Sequence, residues 1–242
     1  MKRALLEKLA ASKAAKTPTA LVLDLSTGMQ TLVTSAGQEG GFGLTPAQRA
    51  EALRMLAADV SGPLKVPSDD DGDELDGAAR LFVVAHNPPL RLLVVGAVHI
   101  AQPLASMAAL TGYAVTIIDP RAAFATPARF PGVDLRVQWP DEALADLAPD
   151  SRTAVATLSH DPKLDDPALV AALGSPAFYV GALGSRRTHA KRLDRLRAAG
   201  VSENCLARMH APLGVAMKKL TQAEHAVAVG AQMTAVHRRP RG

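Results

Sequence analysis

One stretch limits what this chain can fold into. Residues 92–95 are branched apolar side chains ending at Gly96, and a helical pattern follows at once, with Ile100, Leu104, Met107 and Leu110 on one face. Gly112 ends that pattern, and a second apolar run, Ala114 to Ile118, stops at Asp119. Strand, tight turn, helix, strand and acid is the order of the opening βαβ unit of a dinucleotide-binding sheet. Asp119 lies 23 residues beyond Gly96, close to the ~20 at which an acid meets a ribose hydroxyl. The phosphate fingerprint is altered, because its three glycine positions read Gly96, Val98 and Ala101. Gly96 permits the turn, and alanine at the third position only sets helix–strand packing. Valine at the second puts two methyls where a pyrophosphate would touch the backbone. The stretch reads either as a dinucleotide site or as a Rossmann scaffold whose loop is only a turn.

The same pattern continues downstream. Strands are predicted at 133–137, 153–158 and 177–180, with helices opening at Pro140 and at Asp165-Asp166-Pro167. Such alternation implies a doubly wound parallel sheet with right-handed crossovers. Upstream of Asn87-Pro88-Pro89 the pattern differs. A helix is predicted over 4–15, then strands at 19–25 and 30–34 turned by Ser26-Thr27-Gly28. A glycine-rich loop, 37–43, leads to a helix capped by Thr45, with Pro46 at its first position, ending near Asp59. A loop over 62–77 and a strand over 79–86 complete this part. The fold class is therefore α/β, with a smaller N-terminal α/β domain over 1–88 and a Rossmann-like domain over 89–242.

Composition excludes several functions. A net charge of +4 on 242 residues is small, and with five Phe, two Tyr and one Trp there are no aromatics interleaved with the basic residues. Nucleic-acid binding is not expected. The single cysteine, Cys205, rules out an internal disulfide framework and Cys-x-x-Cys metal spacing. Six of the eight residues from Asp69 to Asp76 are acidic. Aligned as a calcium loop on Gly72, they put Pro67 and Ala78 at ligand positions, so no metal site is expected there. The first sixteen residues lack the apolar core of a signal peptide, and no apolar run reaches the ~20 residues of a membrane span. A cytoplasmic location is the expectation.

Ligands of a doubly wound sheet bind at the carboxyl ends of its strands. Three loops there carry polar groups: Gly96 to His99, Ser159-His160-Asp161, and Gly181 to His189. The third is the most informative. Gly184 turns the chain, Ser185 caps a helix, and Arg186 and Arg187 stand in its first turn against the helix dipole, an unfavourable placement unless an anion is held there. Two guanidinium groups beside free backbone N–H groups suit a phosphate or pyrophosphate. The alternative is pairing of both arginines with Asp161 or Asp119. His189 could join this anion site, and His99 and His160 lie on ligand-facing loops, where each could donate a hydrogen bond. His225 and His237 read as surface residues of a last helix over 221–236. No catalytic residue is assigned.

Together, Gly96-Ala97-Val98-His99-Ile100-Ala101-Gln102, Asp119-Pro120-Arg121, Ser159-His160-Asp161, Gly181 to Thr188 and His210-Ala211-Pro212-Leu213-Gly214 resemble the XdhC/CoxI/CoxF family. These are accessory proteins of molybdenum hydroxylases such as xanthine dehydrogenase and aerobic carbon monoxide dehydrogenase. The resemblance implies a maturation factor or chaperone with a non-catalytic cofactor-binding role, and whether it is also an enzyme stays open at this point. It would bind the molybdenum cofactor, molybdopterin or in some members its cytosine dinucleotide form, and assist insertion into an apo molybdenum hydroxylase. Other maturation factors are further partners, and a homodimer is the expected assembly. The implied binding residues are Gly96, Val98, His99, Asp119, Arg121, His160, Gly184, Ser185, Arg186, Arg187 and His189. Where family members carry Gly-Gly-Cys and Gly-Cys-Gly-Gly, this chain has Gly40-Gly41-Phe42 and Gly77-Ala78-Ala79, which removes those thiols as sulfur carriers. An NAD(P)-dependent oxidoreductase built on Gly96 and Asp119, or a nucleotide-binding interaction module without chemistry, are the alternatives.

Overall fold

The computed structural model describes residues 3–65, 81–218 and 220–239. The chain forms two compact units that part between Pro88 and Pro89. The N-terminal unit runs α1 (Arg3–Ala14), β1 (Thr19–Asp24), β2 (Gln30–Thr34), β3 (Gly37–Gly40), α2 (Pro46–Ala57), β4 (Gly62–Pro63) and β5 (Leu81–His86). Its sheet is antiparallel, in the order β3-β2-β1-β5-β4. The hairpin between β1 and β2 turns where expected. The Asp24 carboxylate accepts hydrogen bonds from the Ser26 and Thr27 backbone N–H groups, at 2.9 and 3.2 Å, which fixes the turn. The glycine-rich segment is not simply a loop, because residues 37–40 add a strand to the sheet edge. Gly40 lies flat against Thr31 there, leaving no room for a side chain. Thr45 and Gln48 form a reciprocal capping box on α2. The acidic run at 69–76, and the start of the strand predicted from residue 79, lie outside the described residues.

The second unit runs β6 (Arg91–Val95), α3 (Ala101–Leu110), β7 (Ala114–Ile118), β8 (Asp134–Arg136), α4 (Pro140–Leu147), β9 (Thr153–Thr157), α5 (Pro162–Gly174), β10 (Tyr179–Ala182), α6 (Arg186–Ala198), α7 (Glu203–Leu206), β11 (Met209–His210) and α8 (Gln222–His237). All six strands are parallel, in the order β11-β10-β9-β6-β7-β8. Side-chain alternation along β6 builds both cores. Leu92 and Val94 face one cluster, with Leu104, Ala108 and Val229 from α3 and α8. Leu93 and Val95 face the other, with Leu144, Leu169 and Leu196 from α4, α5 and α6. Full burial of each such side chain contributes roughly 1.5–3 kcal/mol, and burial on both faces explains why residues 92–95 of β6 and 154–156 of β9 are all apolar.

Several expectations are corrected by the packing. Leu110 is 87% exposed, because α3 turns Ala101, Leu104, Ala105 and Ala108 inward instead. Alanine lets the helix approach the sheet closely, so the stripe follows the small residues. Helix α5 begins at Pro162, one turn before the predicted start. Asp161 caps it through the Lys163 backbone N–H at 2.9 Å, and Pro167 lies inside the helix. Strand β10 starts at Tyr179, two residues later than predicted, so Gly181 and Ala182 belong to the sheet. His210 is in β11 and stacks on Tyr179, with centroids 4.8 Å apart. His237 is buried against Phe178 rather than exposed.

The chain lays down β6, β7 and β8 to one side, then crosses to β9 on the other side of β6. The crevice of a doubly wound sheet opens at this reversal. The loops that leave β6 and β9 nearly touch. Gly96 has φ +104, and a Cβ there would stand 2.9 Å from the Ser159 backbone nitrogen. Glycine is therefore required twice, by the turn and by the neighbouring loop. Gly96→Ala is expected to cost about 3 kcal/mol, measured by urea denaturation; a loss under ~0.5 kcal/mol would contradict this packing.

Candidate functional site

Ser159 links two groups of polar residues. On one side lies the Gly96 turn. The Ala97 backbone N–H donates to Asp119 Oδ2 at 2.8 Å. Arg121 donates to Asp119 three times, from its backbone N–H at 3.0 Å, Nε at 2.8 Å and Nη2 at 2.7 Å. Asp119 is completely buried. Burial by itself would raise its pKa, but the Arg121 side chain and the two backbone N–H groups outweigh it and hold the carboxyl below its ordinary value. All four bonds are internal, so neither oxygen is presented to a ribose. Asp119 instead pins the Gly96 turn to Arg121. Val98 packs on the adjoining apolar cluster, and His99 is exposed.

On the other side is a cleft of about 190 Å³ between the first turn of α5 and the first three turns of α6, lined by His160, Asp165, Arg187, Lys191, Arg192 and Arg195, with Pro162 and Thr188. That is smaller than the ~300–1,000 Å³ of a typical whole-ligand pocket, and suits one charged end of a ligand. His160 reaches it from a left-handed backbone position, φ +61, uncommon for a residue with a side chain. Ser185 caps α6 through the Thr188 backbone N–H at 3.2 Å, as its sequence predicts. Gly184, at φ +144, turns the chain into that cap, and a Cβ there would meet Thr188 at 3.2 Å.

Beneath the cleft lie two charges that sequence reading did not single out. Asp165 and Arg192 are 1% and 2% exposed. Asp165 Oδ1 accepts from the Ser159 hydroxyl at 2.6 Å, and Arg192 Nη2 donates to the Leu183 carbonyl at 2.8 Å. Between them the approach is only 3.6 Å, beyond hydrogen-bond range. Asp165 Oδ2 and Arg192 Nε and Nη1 are buried with no hydrogen-bond partner among the described residues. Burial pushes the Asp165 carboxyl up, against the Ser159 bond and the Arg192 charge, and pushes Arg192 down. Each such group is costly, since a buried polar atom without a partner loses its hydration outright. The His189 Nδ1 is likewise enclosed without a partner, and burial beside Arg192 lowers its pKa.

The cleft is cationic. Arg195 is paired with Asp166 at 3.0 Å, while Arg187 and Lys191 make no ion pair among the described residues. Pairing of Arg186 or Arg187 with Asp161 or Asp119 is not observed, because Asp119 is taken by Arg121 and Asp161 caps α5. Arg186 is exposed and is not part of the cleft wall. Of the residues singled out from sequence, His160 and Arg187 meet in the cleft and Gly184 and Ser185 shape its edge. Gly96, Val98, His99, Asp119 and Arg121 cluster at the turn. His189 lies on α6 but does not line the cleft. Asp165 was missed because α5 was started a turn late. Arg192 did carry a signal, since it sits four residues before Leu196 in the apolar phase of α6.

Asp165→Leu with Arg192→Met replaces the pair by side chains of similar bulk. The double variant is expected to be as stable as the parent or about 1–4 kcal/mol more stable. The raised Asp165 pKa sets the sign with pH: its contribution to the parent is full below the unfolded value and declines as pH rises through the folded one. The variant's advantage in urea denaturation therefore grows from acid to neutral pH. A clear loss at neutral pH would show that the pair serves the fold.

Comparisons with known proteins agree with this architecture. Residues 92–233 match the family model described as the XdhC Rossmann domain. "Uncharacterized protein YqeB" of Escherichia coli is 32% identical over 70% of this chain and 31% of its own length. The molybdenum cofactor insertion chaperone PaoD of the same organism is 35% identical over 64% of this chain and 42% of its own. The chain thus spans less than half the length of these relatives. A crystal structure described as a xanthine dehydrogenase from Bacillus halodurans superposes with a TM-score of 0.74 at 20% identity, covering 99% of this chain and 65% of that one; this likeness concerns the fold. The Rossmann unit described above is the part that the family model matches, and on that match the chain belongs to the XdhC family.

Proposed function

We propose that this chain is an accessory factor that holds the molybdenum cofactor by its phosphate end and assists its insertion into a molybdenum hydroxylase. The observation that carries the reading is the buried Arg192, whose Nε and Nη1 have no acceptor among the described residues, beneath a cleft walled by Arg187 and Lys191. Guanidinium donors without acceptors, beside unpaired cations at a helix N-terminus, fit a phosphate or pyrophosphate oxygen. In this reading Arg187 and Lys191 supply charge, Arg192 supplies directed hydrogen bonds, and Thr188 and His160 bound the cleft. The cofactor supplies the redox chemistry of the client enzyme; this chain positions and shields it, with no catalytic step of its own. The name of the relative PaoD supports the choice of cofactor.

A cytosine dinucleotide form fits the same reading, since its pyrophosphate offers more oxygens to the cationic wall. The client is an apo hydroxylase of the xanthine dehydrogenase type, other maturation factors are further partners, and the working form is a cytoplasmic homodimer. Among the described residues, no helix is long and apolar enough to cross a membrane. The NAD(P) alternative is disfavoured by Asp119, whose oxygens are occupied, and by the side chain of Val98.

Neighbouring arginines separate the site from general surface charge. Arg187→Ala is expected to weaken binding of isolated molybdopterin about tenfold or more, while Arg186→Ala changes it less than about twofold, as a surface charge should. Equilibrium dialysis with the purified full chain reads both. Equal effects of the two variants, or none, would contradict the cleft as the binding place.

A further inference from the structure

After Asp119 the chain makes a short excursion, residues 120–133, before β8. It carries an aromatic and cationic stack that the phosphate cleft does not use. The Arg121 guanidinium lies over the Phe124 ring, 4.4 Å from its centroid. Arg129 approaches the same ring at 5.9 Å and the Phe130 ring at 5.3 Å. Phe130 is buried, whereas Phe124 is 42% exposed. Arg129 Nη1 also donates to the Phe124 carbonyl at 2.7 Å, and the Arg129 carbonyl accepts from Gln102 Nε2 at 3.1 Å. The stack is therefore tied to α3.

The stack is built to be rigid. Arg121 is gripped in its own plane by two hydrogen bonds to Asp119, and Asp119 is completely buried. An arginine held edge-on by a carboxylate keeps both flat faces free of hydrogen-bonding duty. One face covers Phe124, and the Arg121 side chain remains 40% exposed. A fixed guanidinium face backed by an aromatic ring is a surface on which a planar heterocycle stacks. Its position also fits. Ser159, which packs on the Gly96 turn, donates its hydroxyl to Asp165 in the wall of the phosphate cleft. Asp119 belongs to the turn that Gly96 presses against Ser159.

We infer that Arg121 and Phe124 form a stacking platform for the flat ring system of the ligand whose phosphate end lies in the α5–α6 cleft. The inference rests on the cofactor reading for the identity of that ring, a pterin, but makes its own demand on different residues. Asp119 then acts as a positioning residue, gripping the guanidinium instead of a ribose. The platform selects for a flat ring face and is indifferent to phosphate.

Two probes separate the ends of the ligand: pterin-6-carboxylate, which has the ring without phosphate, and inorganic pyrophosphate, which has phosphate without a ring. The variants are Phe124→Leu, which keeps apolar bulk, and Arg121→Lys, which keeps the charge beside Asp119 but loses the plane. Circular dichroism confirms folding of each full-length variant. Pterin fluorescence is expected to be quenched on binding to the parent, with affinity about tenfold lower in either variant. Pyrophosphate affinity by calorimetry is expected to stay within about twofold. Absence of pterin binding to the parent, or unchanged pterin affinity in both folded variants, would overturn the platform. Loss of pyrophosphate affinity in Phe124→Leu would also overturn it, because the ring would then be supporting the cleft. Pterin binding that depends on Phe124 without any pyrophosphate binding would sustain the platform and defeat the phosphate reading.

Discussion

The contact between Gly96 and Ser159 is the constraint on which the rest of the Rossmann unit depends. Backbone meets backbone there, with no room for a Cβ on Gly96. The two loops belong to adjacent strands, β6 and β9, and mark the reversal of strand order. Ser159 then passes the constraint onward. Its backbone rests on the Gly96 turn while its hydroxyl donates to Asp165 beneath the cleft. Gly96 in turn is followed by Ala97, whose N–H holds Asp119, which holds Arg121. One tight approach therefore sets the cationic cleft and the guanidinium stack in register. In a dinucleotide-binding enzyme the first glycine serves the tight turn and the second makes room for a pyrophosphate. Here Gly96 serves the turn and also makes room for the next loop.

The two buried acids of the Rossmann unit behave oppositely, and the contrast explains their roles. Asp119 receives four hydrogen bonds, and its carboxyl is held below the ordinary value despite complete burial. Asp165 receives one strong bond from Ser159, and burial pushes it up. The first is a satisfied structural acid that aims Arg121. The second belongs to an incompletely satisfied pair with Arg192, and such pairs rarely add net stability. In the proposed function that cost is retained for a ligand, whose oxygens would supply acceptors to Arg192.

Much of the architecture was legible in the sequence. The βαβ start, the parallel alternation, the hairpin at Ser26-Thr27-Gly28 and the caps at Thr45 and Ser185 follow from periodicity and capping chemistry, which are local properties. What misled was also local. Pro167 looked like a helix start, but Asp161 and Pro162 open the helix, and Pro167 is its sixth residue, where it forgoes the hydrogen bond to the Lys163 carbonyl. Leu110 looked like a core residue, but the alanines of α3 took the sheet-facing stripe. The cationic cleft was legible in part through Ser185 and Arg187, since cations against a helix dipole draw attention to that helix end. Its floor was not, because Asp165 and Arg192 are distant in sequence and meet only when α5 and α6 pack together. Asp119 showed the limit of motif spacing. Its distance from Gly96 suited a ribose acid, yet Arg121, two residues on, claimed both oxygens.

A crystal structure of the chain grown with inorganic pyrophosphate would show where the anion lies. Difference density is expected between Arg187, Lys191 and Arg192, with oxygens within hydrogen-bond reach of Arg192 Nε or Nη1, and no anion at the turn between Gly96 and Ile100. Density at that turn, with the α5–α6 cleft holding only water, would contradict the phosphate reading of the cleft and restore the reading of a conventional dinucleotide loop.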